Sequence, residues 1–198
     1  MSQAAFQSMM ARLIVEPDFR DAVRRGDVPL RDDFEPRDRS RLLRIAADPG
    51  LDVNRTLFKG FRLGKLRSLL PLTCQLLEGL PLQRAVAAFW QSQPPTSFYF
   101  LPEAIEFCDH LLRTPTRSRY LREVAAFERA RLELERAGVD DPLPQRVEFE
   151  HEPTVLLTAL AEGRRPRAVP LRRCIVMGTR DAAGAIEWSL LDGQVSQA

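Results

Sequence analysis

RVEFEHEPTVLLTALAEGRRPRAVPLRRCIVMGTRDAAGAIEWSLL, residues 146–191, decides the fold class. Val147 and Phe149 alternate with Glu148 and Glu150, which is the period of a half-buried strand. Pro153 opens a short helix over 154–161, because a proline at the first helical position loses no backbone bond, and Gly163 closes it. Two strand-like runs follow, 171–178 and 185–191, separated by 179–184. In the second, Ile186, Trp188 and Leu190 share one face, so the pair predicts a β-hairpin with a Gly-containing turn longer than the tightest kind. Strand, helix, hairpin: a small sheet.

Upstream of this stretch, Val139-Asp-Asp-Pro-Leu-Pro144 has the texture of a linker between modules. Everything before it reads as helix. Phe6, Met9, Met10, Leu13 and Ile14 follow helical spacing; a second short helix runs through Phe19 and Val23 to Gly26. A helix through Leu42, Leu43 and Ile45 is expected to stop at Asp48-Pro49-Gly50. Residues 54–70 place Leu57, Phe58, Phe61, Leu66, Leu69 and Leu70 to one side, and Pro71 kinks this helix or starts the next. Helices over 72–80 and 82–91, another through Leu101, Ile105, Phe107 and Leu111, and an amphipathic one over 118–137 complete the series. The expected class is α+β, mainly α: a helical bundle over 1–140, followed by a strand–helix–hairpin module over 141–198.

An apolar fraction of 44% supports a real core, and 28% charge is ordinary for a surface. No run approaches the length of a membrane span, and the N-terminus lacks a basic segment followed by an apolar one, so no signal peptide is expected. Cys74, Cys108 and Cys174 are scattered in apolar surroundings and read as buried free thiols of a reducing compartment, with the cytoplasm the expected location. Of 29 basic residues only Lys59 and Lys65 are lysines. The acids interleave with the arginines, so no long single-sign face is expected.

The chemistry-bearing residues are sparse. The two histidines, His110 and His151, form no pair at metal-ligand spacing, and no HExxH, CxxC, GxSxG or phosphate-cradling loop is present. Cys108 and His110, two apart on a helix, point to different sides. The expectation is therefore no catalytic residue, no metal ligand and no cofactor in this chain. Two features point to partners. Lys59, Arg62 and Lys65 recur on adjacent turns, a stripe that could dock on an acidic surface or neutralise phosphates. With Trp90, Phe98, Tyr99 and Phe100 they form the expected partner-docking set. In the C-terminal module a small sheet must leave an edge unpaired, and such an edge can take an extended peptide. The expected peptide-binding set is Leu156, Leu157 and Leu160 of the helix, with Cys174, Ile175, Val176 and Met177 of the following strand.

FRLGKLRSLLPLTCQLL, AAFWQSQPPTSFYFLPEAIEFCDHLL and YLREVAAFERA together resemble the helical domain of accessory proteins that pair with multinuclear non-haem iron oxidases. Those pairs make ribosomally synthesised, post-translationally modified peptides of the methanobactin kind. VEFEHEPTVLLTALAEG, RCIVMG and AIEWSLLDG are similar to their C-terminal segment, which resembles a winged-helix-like peptide-recognition element. The resemblance covers roughly residues 55–191. It implies a non-catalytic subunit that forms a heterodimer with a TIM-barrel-type oxidase and holds the precursor's leader as an added strand. Iron would sit in the partner enzyme. Related helical domains are also described as DNA-binding, so a transcriptional regulator is the alternative reading.

Overall fold

The computed structural model describes residues 3–27, 35–92, 100–137, 143–181 and 183–191. It is mainly helical with one three-stranded antiparallel sheet, the α+β class expected from the sequence. The helices are α1 (Gln3–Val15), α2 (Pro17–Arg25), α3 (Pro36–Ala46), α4 (Gly50–Leu69), α5 (Pro71–Leu76), α6 (Leu80–Ser92), α7 (Phe100–Arg113) and α8 (Leu121–Ala137). They are followed by β1 (Gln145–His151), α9 (Pro153–Ala161), β2 (Leu171–Arg180) and β3 (Ile186–Leu191). Four of the helices, α2, α3, α5 and α9, have proline at the start of the first turn, where the missing N–H would have no helical acceptor. Asp48-Pro49-Gly50 starts α4 as much as it stops α3: Gly50 N–H donates to Asp48 Oδ1 at 2.7 Å.

The chain divides into two compact units, residues 1–61 and 62–198. In the first, Leu13, Val23, Leu42 and Ala46 form a small buried cluster covered by Phe6, Met9, Met10, Phe19 and Ile45. Arg20 is buried there and pairs with Asp52 at the start of α4, which Arg24 also reaches at 3.3 Å. In the second unit, one core gathers α4 to α8 around Leu66, Leu70, Phe89, Phe107 and Leu132.

A break at 140/141, expected from the linker-like composition, is not where the packing divides. Residues 138–142 lie outside the described residues, but the elements on either side share one core. Tyr120, Val124 and Ala130 of the α8 region pack with Val147 and Phe149 of β1, Leu156 and Leu160 of α9, and Cys174 and Val176 of β2. Arg180, at the end of β2, donates to the carbonyls of Leu134 and Glu135 at 3.0 and 3.2 Å, satisfying acceptors that the end of α8 leaves open. The side-chain amide of Gln75 donates to the Gly163 carbonyl at 3.0 Å, tying α5 to the end of α9. The sheet module is built onto the helical body.

Strand order is β1-β2-β3. Val147, Phe149, Cys174, Val176 and Trp188 alternate onto the face covered by helices, with Val147 opposite Val176 and Gly178 opposite Trp188. Gly178 is required by contact: a Cβ there would stand 2.6 Å from the Trp188 ring and 2.9 Å from Leu134 Cδ1. The opposite face carries Arg146, Glu148, Ile175, Met177, Ser189 and Leu191, all exposed or half-exposed. Among the described residues no helix is long and apolar enough to cross a membrane.

Candidate functional site

The peptide-binding residues expected from the sequence occupy three different environments. Leu156 and Leu160 are almost wholly inaccessible and belong to the core between α9 and the sheet. Cys174 and Val176 face the same core. Leu157 is half-buried, and Ile175 and Met177 are half-buried on the far face of the sheet. More decisively, β2 is the central strand. Residues 175–177 pair with β1 on one side, at Val147 and its neighbours, and with β3 on the other, at Leu190 and its neighbours. A strand hydrogen-bonded on both sides has no main-chain groups left for a peptide, so Cys174–Met177 cannot receive an added strand. Among the described residues, the edges that no further strand pairs are those of β1 and β3.

These two edges differ. At the end of β1 the Glu123 carboxylate, reaching across from α8, accepts the backbone N–H groups of Glu150 and His151, each at 3.1 Å. That corner of the edge is already occupied, beside a register shift between Phe149 and His151. In β3, Leu190 and Leu191 are 40% and 48% exposed, and among the described residues no strand pairs beyond it. Of the two edges, that of β3 has no such carboxylate on its backbone among the described residues.

The partner-docking set is likewise not one surface. Arg62 lies inside: it is 4% exposed and its Nε and Nη2 donate to Glu103 Oε1 at 2.9 and 2.7 Å. Trp90 Nε1 donates to the same oxygen at 3.0 Å, and the Arg62 guanidinium lies 4.4 Å from the centroid of the Trp90 ring. Lys59 and Lys65 are exposed, with Lys65 Nζ 6.0 Å from the centroid of half-buried Phe100. Phe98 and Tyr99 lie outside the described residues. With its middle member turned inward, the stripe Lys59–Arg62–Lys65 is not a continuous basic face.

Three buried carboxylates escaped the sequence reading, Glu103, Glu123 and Glu128. Glu128 stands within an apolar row that gives its position away, flanked at four-residue spacing by Val124 and Leu132. Glu128, 1% exposed, accepts the backbone N–H groups of Leu72 and Thr73 at 2.9 and 2.8 Å, capping α5 from α8. Burial pushes its carboxyl above the ordinary range, opposed by those hydrogen bonds and by Arg131. Glu123 Oε1 lies 2.7 Å from His151 Nδ1, and Arg119 Nε donates to His151 Nε2 at 3.2 Å. The three described cysteines are free and buried; burial first, then Glu128, raises the Cys74 thiol to about 12 against Arg67. His110, half-buried beside Phe89, is lowered by burial and by Arg113. Among the described residues no group of three His, Cys, Asp or Glu side chains converges as metal ligands would. These charged groups are each engaged in tying one element to another.

No protein-family model matches the chain, and no curated protein matches it.

Proposed function

We propose that the chain is a cytoplasmic, non-catalytic partner subunit of a peptide-modifying system. It holds the leader of a precursor peptide along the free edge of β3 and presents the rest of that peptide to a separate multinuclear iron oxidase, with which it forms a heterodimer. The observation that carries this reading is the unpaired edge of β3, a short strand whose last residues, Leu190 and Leu191, are exposed. An extended segment laid there gains main-chain hydrogen bonds irrespective of its side chains, while alternate residues contact the two faces of the sheet. α8 and α9 pack on the face of Val147, Phe149, Cys174 and Val176, while the described residues of the opposite face are exposed or half-exposed. Strand, helix and wing-like hairpin in that order are also what a winged recognition module requires. Iron belongs to the oxidase in this reading; the contribution of this chain is orientation and effective concentration.

Co-expression with a multinuclear iron oxidase and a short precursor peptide tests the assembly, which should purify as a stoichiometric heterodimer and bind labelled leader. Proline placed at Ser189 and at Leu190 in turn tests the edge. Successive N–H groups of a strand point to opposite sides, so one of the two variants removes a donor from the free edge and leaves the pairing with β2 intact. That variant should lose leader binding while keeping the helical circular dichroism of the parent. Leader affinity unchanged in both variants would refute the edge assignment.

A further inference from the structure

The stretch from the loop after α9 into the start of β2 is the most arginine-rich of the chain: Arg164, Arg165, Arg167, Arg172 and Arg173 fall within ten residues. Two of these arginines are answered locally, Arg164 by Glu162 and Arg172 by Glu152 at 2.7 Å. Among the described residues no hydrogen bond or ion pair engages Arg165 or Arg167, and both are exposed. The loop does not fold flat on the surface. With α9 it walls a cleft of about 440 Å³ whose rim carries Arg164, Arg165 and Arg167 and whose floor is Val155, Ala159 and Val169. Ala159 and Val169 are buried, whereas Val155 is 47% exposed.

We infer that this cleft binds an acidic peptide segment, with carboxylates on Arg165 and Arg167 and one aliphatic side chain on the Val155–Ala159–Val169 floor. The guanidinium fork matches a carboxylate with two parallel hydrogen bonds, and its weak hydration lets it pair at a partly apolar surface. The composition of the cleft selects peptide over nucleic acid. Its floor is aliphatic and its described lining has no aromatic ring on which a base could stack. Arg164 and Arg172 are already paired with Glu162 and Glu152, which leaves Arg165 and Arg167 as the cations at the rim, enough for a pair of carboxylates. The site lies between α9 and the loop that follows it, and stands whether or not the β3 edge is used.

The full chain is titrated by fluorescence anisotropy with three labelled probes: a short synthetic peptide of alternating aspartate, leucine and glutamate, its counterpart with lysine in place of every acid, and a single-stranded oligonucleotide. The acidic peptide should bind in preference to the other two. The double variant Arg165→Glu, Arg167→Glu changes only exposed loop side chains, and should weaken the acidic peptide by tenfold or more while gaining affinity for the lysine peptide. Val155→Asn should weaken the acidic peptide with the charges untouched, which separates the floor from the rim. Acidic-peptide affinity unaffected by the double charge reversal would overturn the inference. So would an oligonucleotide that binds as tightly as the acidic peptide and is lost in the same variant. Circular dichroism of each variant confirms that the comparison is between folded proteins.

Discussion

His151 Nδ1 lies 2.7 Å from Glu123 Oε1, and this contact joins the first turn of α8 to the last residue of β1. The same carboxylate accepts two consecutive backbone N–H groups, those of Glu150 and His151, where the ladder with β2 shifts register. Arg119 Nε donates to Nε2, so the ring proton resides on Nδ1 and points to Glu123. Tyr120 closes the site, its ring edge-on to the imidazole with centroids 4.8 Å apart and its hydroxyl accepting the Val169 N–H at 3.3 Å. Glu123→Ala leaves these donors unsatisfied in a buried place and should cost about 3 kcal/mol, read from urea unfolding. Nitrogen NMR of His151 should show the Nδ1–H tautomer in the wild type.

Glu128 gives the chain a pH signature. Its folded-state carboxyl is raised above the ordinary value of about 4.3, so folding favours the protonated form. The stabilisation this confers is complete below the unfolded-state value and is lost as pH rises through the raised folded-state value. Glu128→Gln keeps an acceptor for the α5 N–H groups and abolishes the titration. The difference in unfolding free energy between wild type and variant should therefore shift in favour of the variant as pH climbs from the ordinary carboxylate range upward. A difference that stays flat across that range would contradict the assignment.

How much of this was legible follows from what each signal measures. Val147 and Phe149 against Glu148 and Glu150, and Ile186 against Trp188 and Leu190, report which face a strand buries, and both strands are found where the alternation puts them. Alternation is silent about which strands are neighbours. Only the pairing shows that β2 is central, which converts Cys174–Met177 from an edge into an interior strand. Charged helix positions mislead for a related reason. Arg62 and Glu103 are forty-one positions apart, and a local window assigns each to solvent, whereas the fold neutralises one with the other. The arginine density at 164–173 was visible in composition, but the cleft behind it exists only because α9 turns back against its own following loop.

Gly178 reports on the sheet itself. The Trp188 ring lies across it and packs on Phe127 with centroids 4.5 Å apart. Gly178→Ala must displace a ring held between the strand and α8, and should cost about 1–3 kcal/mol with a changed Trp188 fluorescence maximum. Gly60, which has open space around the position of a Cβ, is the control: Gly60→Ala replaces a poor helix former within α4 and should be neutral or stabilising.

The described thiols should be inert in the native state. Cys74 and Cys108 are both raised by burial, Cys74 to about 12, so the reactive thiolate is scarce at neutral pH, and Cys174 is buried as well. Ellman's reagent should label none of the three at a measurable rate before unfolding and all three after it. Rapid labelling of the folded protein would show that a core element opens under native conditions.

Arg62 and Glu103 decide whether the helical body tolerates loss of a charge. Both are almost fully buried, and Glu103 Oε1 takes donors from Arg62 and from Trp90 together. Removing one takes from the other the opposite charge it meets inside the fold, so Arg62→Ala or Glu103→Ala should each cost about 3–5 kcal/mol. Removing both charges with side chains of similar volume, Arg62→Met with Glu103→Leu, eliminates the desolvation of two ions along with their attraction. The double variant should regain most of the stability lost by either single one, less the cost of the Trp90 N–H that loses its Glu103 acceptor. Denaturant midpoints of the four proteins complete the cycle. Additive losses in the double variant would mean that the two side chains act independently, and that their closeness in the fold does not couple α4 to α7.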